Sequence, residues 1–165
     1  MKYLHYIVIG VVAVSVCVGL YFAGSPNRAR ALRFDDRRIN DITGLQNQIL
    51  WHWQTKKALP KDLAALAATQ PGYETPTDPE TKQAYEYHLV NGLSFELCAT
   101  FALPTQEDGY NRYSSYAYPQ PYFVGTVDWK HDTGRTCFAR TIDQAQYEKD
   151  QAAQLNMGIK PVPVY

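Results

Sequence analysis

Three cysteines, four histidines and a few carboxylates and arginines are the residues of this chain best suited to chemistry. Cys98 and Cys137 flank a long aromatic segment, whereas Cys17 lies inside an apolar run. Two cysteines in a small domain form a disulfide in an oxidising compartment and stay as buried thiols in a reducing one. Both readings are open on the residues alone, and the Cys98–Cys137 disulfide is the one expected here. Such a bridge closes a loop of about 40 residues and stabilises by about 4 kcal/mol in the chain-entropy picture. Cys17 follows Val16, where lipid attachment wants a small residue, so it reads as apolar filler.

His5, His52, His88 and His131 show no metal-ligand spacing, and no HExxH or CxxC pattern is present. No metal and no cofactor is therefore expected. There is no GxSxG elbow and no glycine-rich phosphate loop. Glu86 and Glu96 face one another in the hairpin register argued below. Paired carboxylates can do acid–base work, but solvated strand glutamates are the expected role. Arg112, Arg135 and Arg140 are dispersed and read as a solvated face rather than a phosphate site. Lys+Arg and Asp+Glu both number 16, so no global basic field invites nucleic acid. No catalytic residue is assigned.

The chain holds 13 tyrosines, and Tyr110, Tyr113, Tyr116, Tyr118 and Tyr122 cluster in and after a long polar segment, 105–121. Tyrosine offers contact area at low entropy cost, which makes these five the candidate partner-binding residues. Two other readings are a small ligand-binding or enzymatic site built by residues 110–123, and a loop packing its own rings over a sheet.

The elements that must position these residues follow from periodicity. Residues 6–23 carry no charge, and the uncharged run reaches back to Tyr3. About 21 residues at about 1.5 Å each cross a hydrocarbon core of about 30 Å, with Tyr3, Tyr6, Tyr21 and Phe22 placed as interfacial aromatics. Cleavage after the small residues Ala23 and Ser25 would fall before Pro26, a poor position, so a single retained anchor is expected. Arg28, Arg30, Arg33, Arg37 and Arg38 argue by charge for a cytoplasmic domain, and the cysteine pair argues for an oxidising compartment. We expect the domain to be extracytoplasmic, with residues 3–23 in the lipid bilayer.

Residues 28–55 predict an amphipathic helix, with Leu32, Ile39, Ile42, Leu45, Ile49, Leu50 and Trp53 on one stripe and an Arg37–Asp41 pair on the polar face. Gly44 inside it suggests close approach of a strand backbone. LPKDLAALAAT predicts a short helix with Pro60 in its first turn, followed by a turn-rich loop over 71–82. AYEYHLV and LSFELCATFAL around Asn91-Gly92 predict a hairpin. A three-residue loop 90–92, with Gly92 left-handed, sets Leu89 by Leu93, Tyr87 by Phe95 and Tyr85 by Leu97, leaving one apolar face. FVGTVDW and RTCFARTI predict a second hairpin. Asp143 and Gln146 make a capping box for a polar helix ending near Gly158, and an extended tail follows.

Together these give an α+β chain: an anchor over 1–25, an α+β domain over 26–142, and a polar helix with tail over 143–165. The order of an apolar helix, an amphipathic helix DDRRINDITGLQNQILWHWQTKKALPKDLAAL, a DPET turn, a YEY strand and a FELCATF strand resembles the type IV pilin and pseudopilin class. It is also similar to small membrane-anchored bacterial proteins with the same DPET, YEY and FELCATF run. The resemblance covers residue 3 to about 142. It implies a pilin-like fold on a fixed anchor and a scaffold or protein-binding role without catalysis. Pilins carry a glutamate five residues into the mature helix; Gly10 here is followed by Val11 to Ser15, with none.

Overall fold

In the computed structural model the structure describes residues 2–23, 26–69, 72–105, 122–125 and 127–157, with first-helix side chains described over 3–19. The order is α1 (Lys2–Ala23), α2 (Pro26–Lys56), α3 (Leu63–Ala68), β1 (Glu86–Leu89), β2 (Ser94–Phe101), β3 (Gly134–Thr141) and α4 (Gln144–Asn156). The three strands form one antiparallel sheet in the order β1-β2-β3, so the chain is α+β with β2 central.

α1 is exposed at every described side chain. Among the described residues no helix is long and apolar enough to cross a membrane. The described side chains of α1 over 3–19 make a run of 17 residues.

α2 places Ile39, Ile42, Leu45, Ile49 and Trp53 on one stripe, and all five are buried. The steps of three and four keep them on one side of a helix. That stripe meets Phe95, Leu97, Ala99 and Phe101, the alternate residues of β2, in a single core that also takes Leu66, Tyr85, Phe123, Phe138 and Ile142. Arg37 pairs with Asp41 at 3.3 Å on the outer side. Gly44 is on the exposed side, and a Cβ there would meet nothing within 4 Å. The strand approach expected at that glycine is absent, because Gly44 sits off the buried stripe. The helix stops at Lys57, whose φ of 56° turns the chain left-handed while its N–H bonds the Trp53 carbonyl at 2.7 Å.

Several local expectations are corrected. Pro60 lies outside α3; Asp62 caps that helix by accepting from the Ala65 N–H at 2.6 Å, so the turn starts two residues later. The β1–β2 register pairs Leu89 with Phe95 and Tyr87 with Leu97, two residues along from the expected pairing. The loop is Asn91-Gly92-Leu93, with the Asn91 side chain accepting from the Leu93 N–H at 2.9 Å. That side-chain bond forms the turn, and Gly92 is not in the left-handed region. A slip of two keeps every side chain on its face, so the faces stand although the partners change. Glu86 accordingly faces Cys98, and Glu96 faces His88, rather than the two glutamates facing each other.

The second hairpin does not form among the described residues. β3 pairs with β2, and Phe123 contributes only an isolated bridge to Ile142. Asp143 caps α4 as expected, accepting from the Gln146 N–H at 2.9 Å. The Gln146 side chain turns forward to Asp150 instead of closing the box. The tail after 157 lies outside the described residues.

Candidate functional site

The alternation of β2 and β3 sends Glu96, Cys98 and Thr100, with Arg135, Cys137 and Ala139, to the sheet face away from α2. β1 adds Glu86 and His88 to that face. Register then aligns Glu86, Cys98 and Cys137 in one row across the three strands. Cys98 and Cys137 are joined by a disulfide with their Cα atoms 4.0 Å apart. The bridge links directly paired residues on adjacent strands of one sheet. It is expected to stabilise by about 4 kcal/mol.

Arg135 donates to both oxygens of Glu86, at 3.1 and 2.7 Å, and its Nη2 reaches the Cys98 Sγ at 3.5 Å. The His88 Nε2 lies 3.3 Å from Glu86 Oε2. These bonds from Arg135 and then His88 hold the Glu86 carboxyl down at about 2. Among the described residues Glu86, His88 and Cys98 form the one grouping of metal-type donors, their donor atoms within 4.8 Å of one another. Sequence spacing did not reveal it, because the grouping depends on strand register. A cavity of about 270 Å³ reaches this row, its lining running from Arg38, Asp78 and Glu80 to Glu86, Cys98 and Thr100.

At the cavity's other end a buried ionic node joins α2 to the loop before β1. Arg38 donates to Asp78 at 2.6 and 3.2 Å, to Asp35 at 2.8 Å and to Glu80 at 2.8 Å. Asp35 also accepts from the Ala102 and Leu103 N–H groups at 3.0 and 2.9 Å, just past the end of β2. Asp78 accepts from the Glu80 and Thr81 N–H groups at 2.9 and 2.8 Å. Burial alone would raise the Asp78 carboxyl; the bonds from Arg38 and the two amides outweigh it and hold it at about 2. Tyr85 donates to Asp41 at 2.9 Å beside this node, and burial with that bond pushes its phenol up. Asp78 and Glu80 belong to the DPET segment, so this turn is fastened to the helix by charge. The sequence showed a turn there but not its partner, which is 40 residues away.

Arg140 is buried, which corrects the solvated face expected of it. It lies on the α2 side of β3, its guanidinium 4.4 Å from the Trp129 ring centre. It donates to Gln46 Oε1, the Asp128 carbonyl and its neighbour Ala139's carbonyl at 2.7, 2.7 and 2.9 Å. Burial pulls its pKa down to about 10, so it stays cationic at neutral pH. Arg135 is exposed, as expected, and Arg112 lies outside the described residues.

His52 and His131 serve packing. His52 bonds Thr69 Oγ1 at 3.2 Å, and burial and then Lys56 lower its pKa. His131 stacks on Phe101 at 3.7 Å and bonds Thr105. Tyr110, Tyr113, Tyr116 and Tyr118 lie outside the described residues. Tyr122 is half-buried, edge-on to Tyr147 at 5.3 Å. Tyr147 is in turn edge-on to Trp53 at 5.2 Å, with Lys57 Nζ 4.2 Å over its ring. Tyr122 therefore helps close α4 onto α2. Burial and then the Asp150 charge raise its phenol.

Comparison with protein-family models, with characterised proteins and with solved structures gives no match.

Proposed function

We propose that the chain is a single-pass, membrane-anchored domain of pilin-like fold that acts by binding or scaffolding other proteins and has no catalytic role. The observation that carries this reading is the contrast between the first two helices. α1 exposes Leu4, Ile7, Val8, Ile9, Val11, Val12, Val14, Val16 and Val18. α2, three residues later in the chain, buries its apolar stripe on the sheet. Exposed aliphatic side chains at nine of the 17 described positions of a helix need an apolar surrounding. The uncharged run of sequence from Tyr3 to Ala23 has the length for a bilayer. Support for the pilin-like comparison is the order of a leading helix, a helix packed across an antiparallel sheet, and a disulfide within that sheet.

The non-catalytic reading is supported by the use of the buried charges. Asp35, Arg38, Asp78 and Arg140 are all occupied by bonds within the fold. The disulfide suits an extracytoplasmic domain. Of the five tyrosines proposed for partner binding, Tyr110, Tyr113, Tyr116 and Tyr118 remain the candidates, and Tyr122 packs against Tyr147.

A photo-crosslinking residue placed singly at positions 110, 113, 116 and 118, in the full chain in membranes, tests the binding role. The expected result is one adduct of defined mass from several of these positions, lost when the other three tyrosines become serine. Uniform weak labelling from all four, equal to that from the exposed Thr141 on the sheet face, would contradict it.

A further inference from the structure

The outer row of the sheet has a property that the anchored-domain reading does not use. A bridge serving only to hold strands together needs no ionic surroundings. Here Cys98 of the Cys98–Cys137 pair lies beside Glu86, His88 and Arg135 and lines a cavity. We propose that Cys98 and Cys137, once reduced, form with His88 and Glu86 a zinc site on the outer face of the sheet.

Glu86 faces Cys98 and Cys98 faces Cys137, so a carboxylate and both sulfurs are neighbours across β1, β2 and β3. His88 is two residues from Glu86 and therefore on the same face. Its ring nitrogen, a Glu86 oxygen and the Cys98 sulfur already lie within 4.8 Å of one another. A tetrahedral zinc with bonds of about 2.0–2.3 Å sets its donors about 3.3–3.8 Å apart, so these three need to close by about 1 Å, and Cys137 brings the fourth donor from a Cα 4.0 Å from that of Cys98. Two thiolates, an imidazole and a carboxylate form a donor set suited to this borderline-soft ion.

Charge also balances. Two thiolates and Glu86 carry three negative charges, zinc two positive charges and Arg135 one. Arg135 now grips both Glu86 oxygens and touches Cys98 Sγ. It can release one oxygen to the metal while still facing the thiolates. The Glu86 and His88 side chains are about half exposed, at 48% and 54%, whereas Cys98 is almost fully covered. The ion therefore enters from the β1 side, where the cavity meets Glu86 and Cys98.

The step requires a dithiol reductant. One of its thiolates attacks a sulfur of the bridge, the Cys98–Cys137 bond breaks, and a mixed disulfide forms. The second reductant thiol resolves that intermediate, and the reductant leaves as a disulfide. The domain gains two electrons and two protons as two thiols. Zinc binding then releases both protons to solvent. The device is a redox-gated site: closed to metal when oxidised and open when reduced.

Cobalt(II) is the probe, added to the full chain in detergent on a Cys17→Ser background. The reduced protein is expected to take up one equivalent and show the visible bands and thiolate charge transfer of a tetrahedral two-sulfur site. Zinc should displace the cobalt, and the oxidised protein should give no such spectrum. His88→Ala and Glu86→Gln should each weaken binding about tenfold or more. Far-UV circular dichroism follows the fold in parallel. A reduced chain that loses structure and regains it with zinc also supports the site. Three results overturn the proposal: no tetrahedral spectrum after reduction, a spectrum indifferent to both variants, or loss of fold that zinc does not reverse.

Discussion

Replacing Arg38 by alanine should be among the most destabilising single changes in the domain. The Arg38 side chain is 3% exposed and its partners Asp35 and Asp78 are 5% and 11% exposed, so the change strands two buried carboxylates. Removing one partner of a buried ion pair costs about 3–5 kcal/mol. Asp78 is held at about 2 against an ordinary 3.8, a depression worth about 2 kcal/mol from that residue alone. Asp35 and Asp78 each keep two backbone N–H donors, so the loss should sit near the lower end, about 3 kcal/mol. The penalty should depend on pH in a defined direction. A carboxyl depressed on folding contributes stability that is complete above its unfolded value and is lost as pH falls through its folded value. The difference between wild type and Arg38→Ala should thus be full at neutral pH and shrink from about 3.8 down to about 2. Urea unfolding of the full chain in detergent, followed by tryptophan fluorescence at neutral pH and near pH 3, measures both quantities. A loss below about 1 kcal/mol, or an equal loss at both pH values, would refute the reasoning.

Ile42 is fully buried between α2 and the sheet, and Ile42→Ala should cost about 2–5 kcal/mol by the same urea assay. Gly44→Ala should stabilise by up to about 1 kcal/mol, because a Cβ there meets nothing and alanine is the better helix former; destabilisation would mean the helix face is not free. Alkylation without reductant should leave Cys98 and Cys137 unlabelled by mass, and label at both would remove the bridge from the native state.

How far the sequence reached depended on distance along the chain. The stripe of α2 was legible because its spacing is local, and burial of Ile39, Ile42, Leu45, Ile49 and Trp53 follows from it. The two faces of the β1–β2 hairpin were legible because alternation survives a slip of two. The partners themselves were not, since Asn91 sets the loop through a side-chain bond that the dipeptide pattern does not specify. Arg140 looked solvated because nothing near it in sequence announces Gln46 and Trp129 as its company. The DPET turn was visible as a turn, yet its fastening to Arg38 is a contact across the fold. The same holds for Glu86, His88 and Cys98: two residues of one strand and one of the next become a donor cluster only through register.

We propose that this domain is held at a membrane by its first helix. Alkaline carbonate extraction of membranes from cells producing the full chain tests it most directly, with intact mass read on the pellet. The account predicts full-length protein that stays in the pellet, and release when residues 3–23 are replaced by a soluble linker. Full-length protein in the carbonate supernatant, or a soluble form beginning near Pro26, would contradict it.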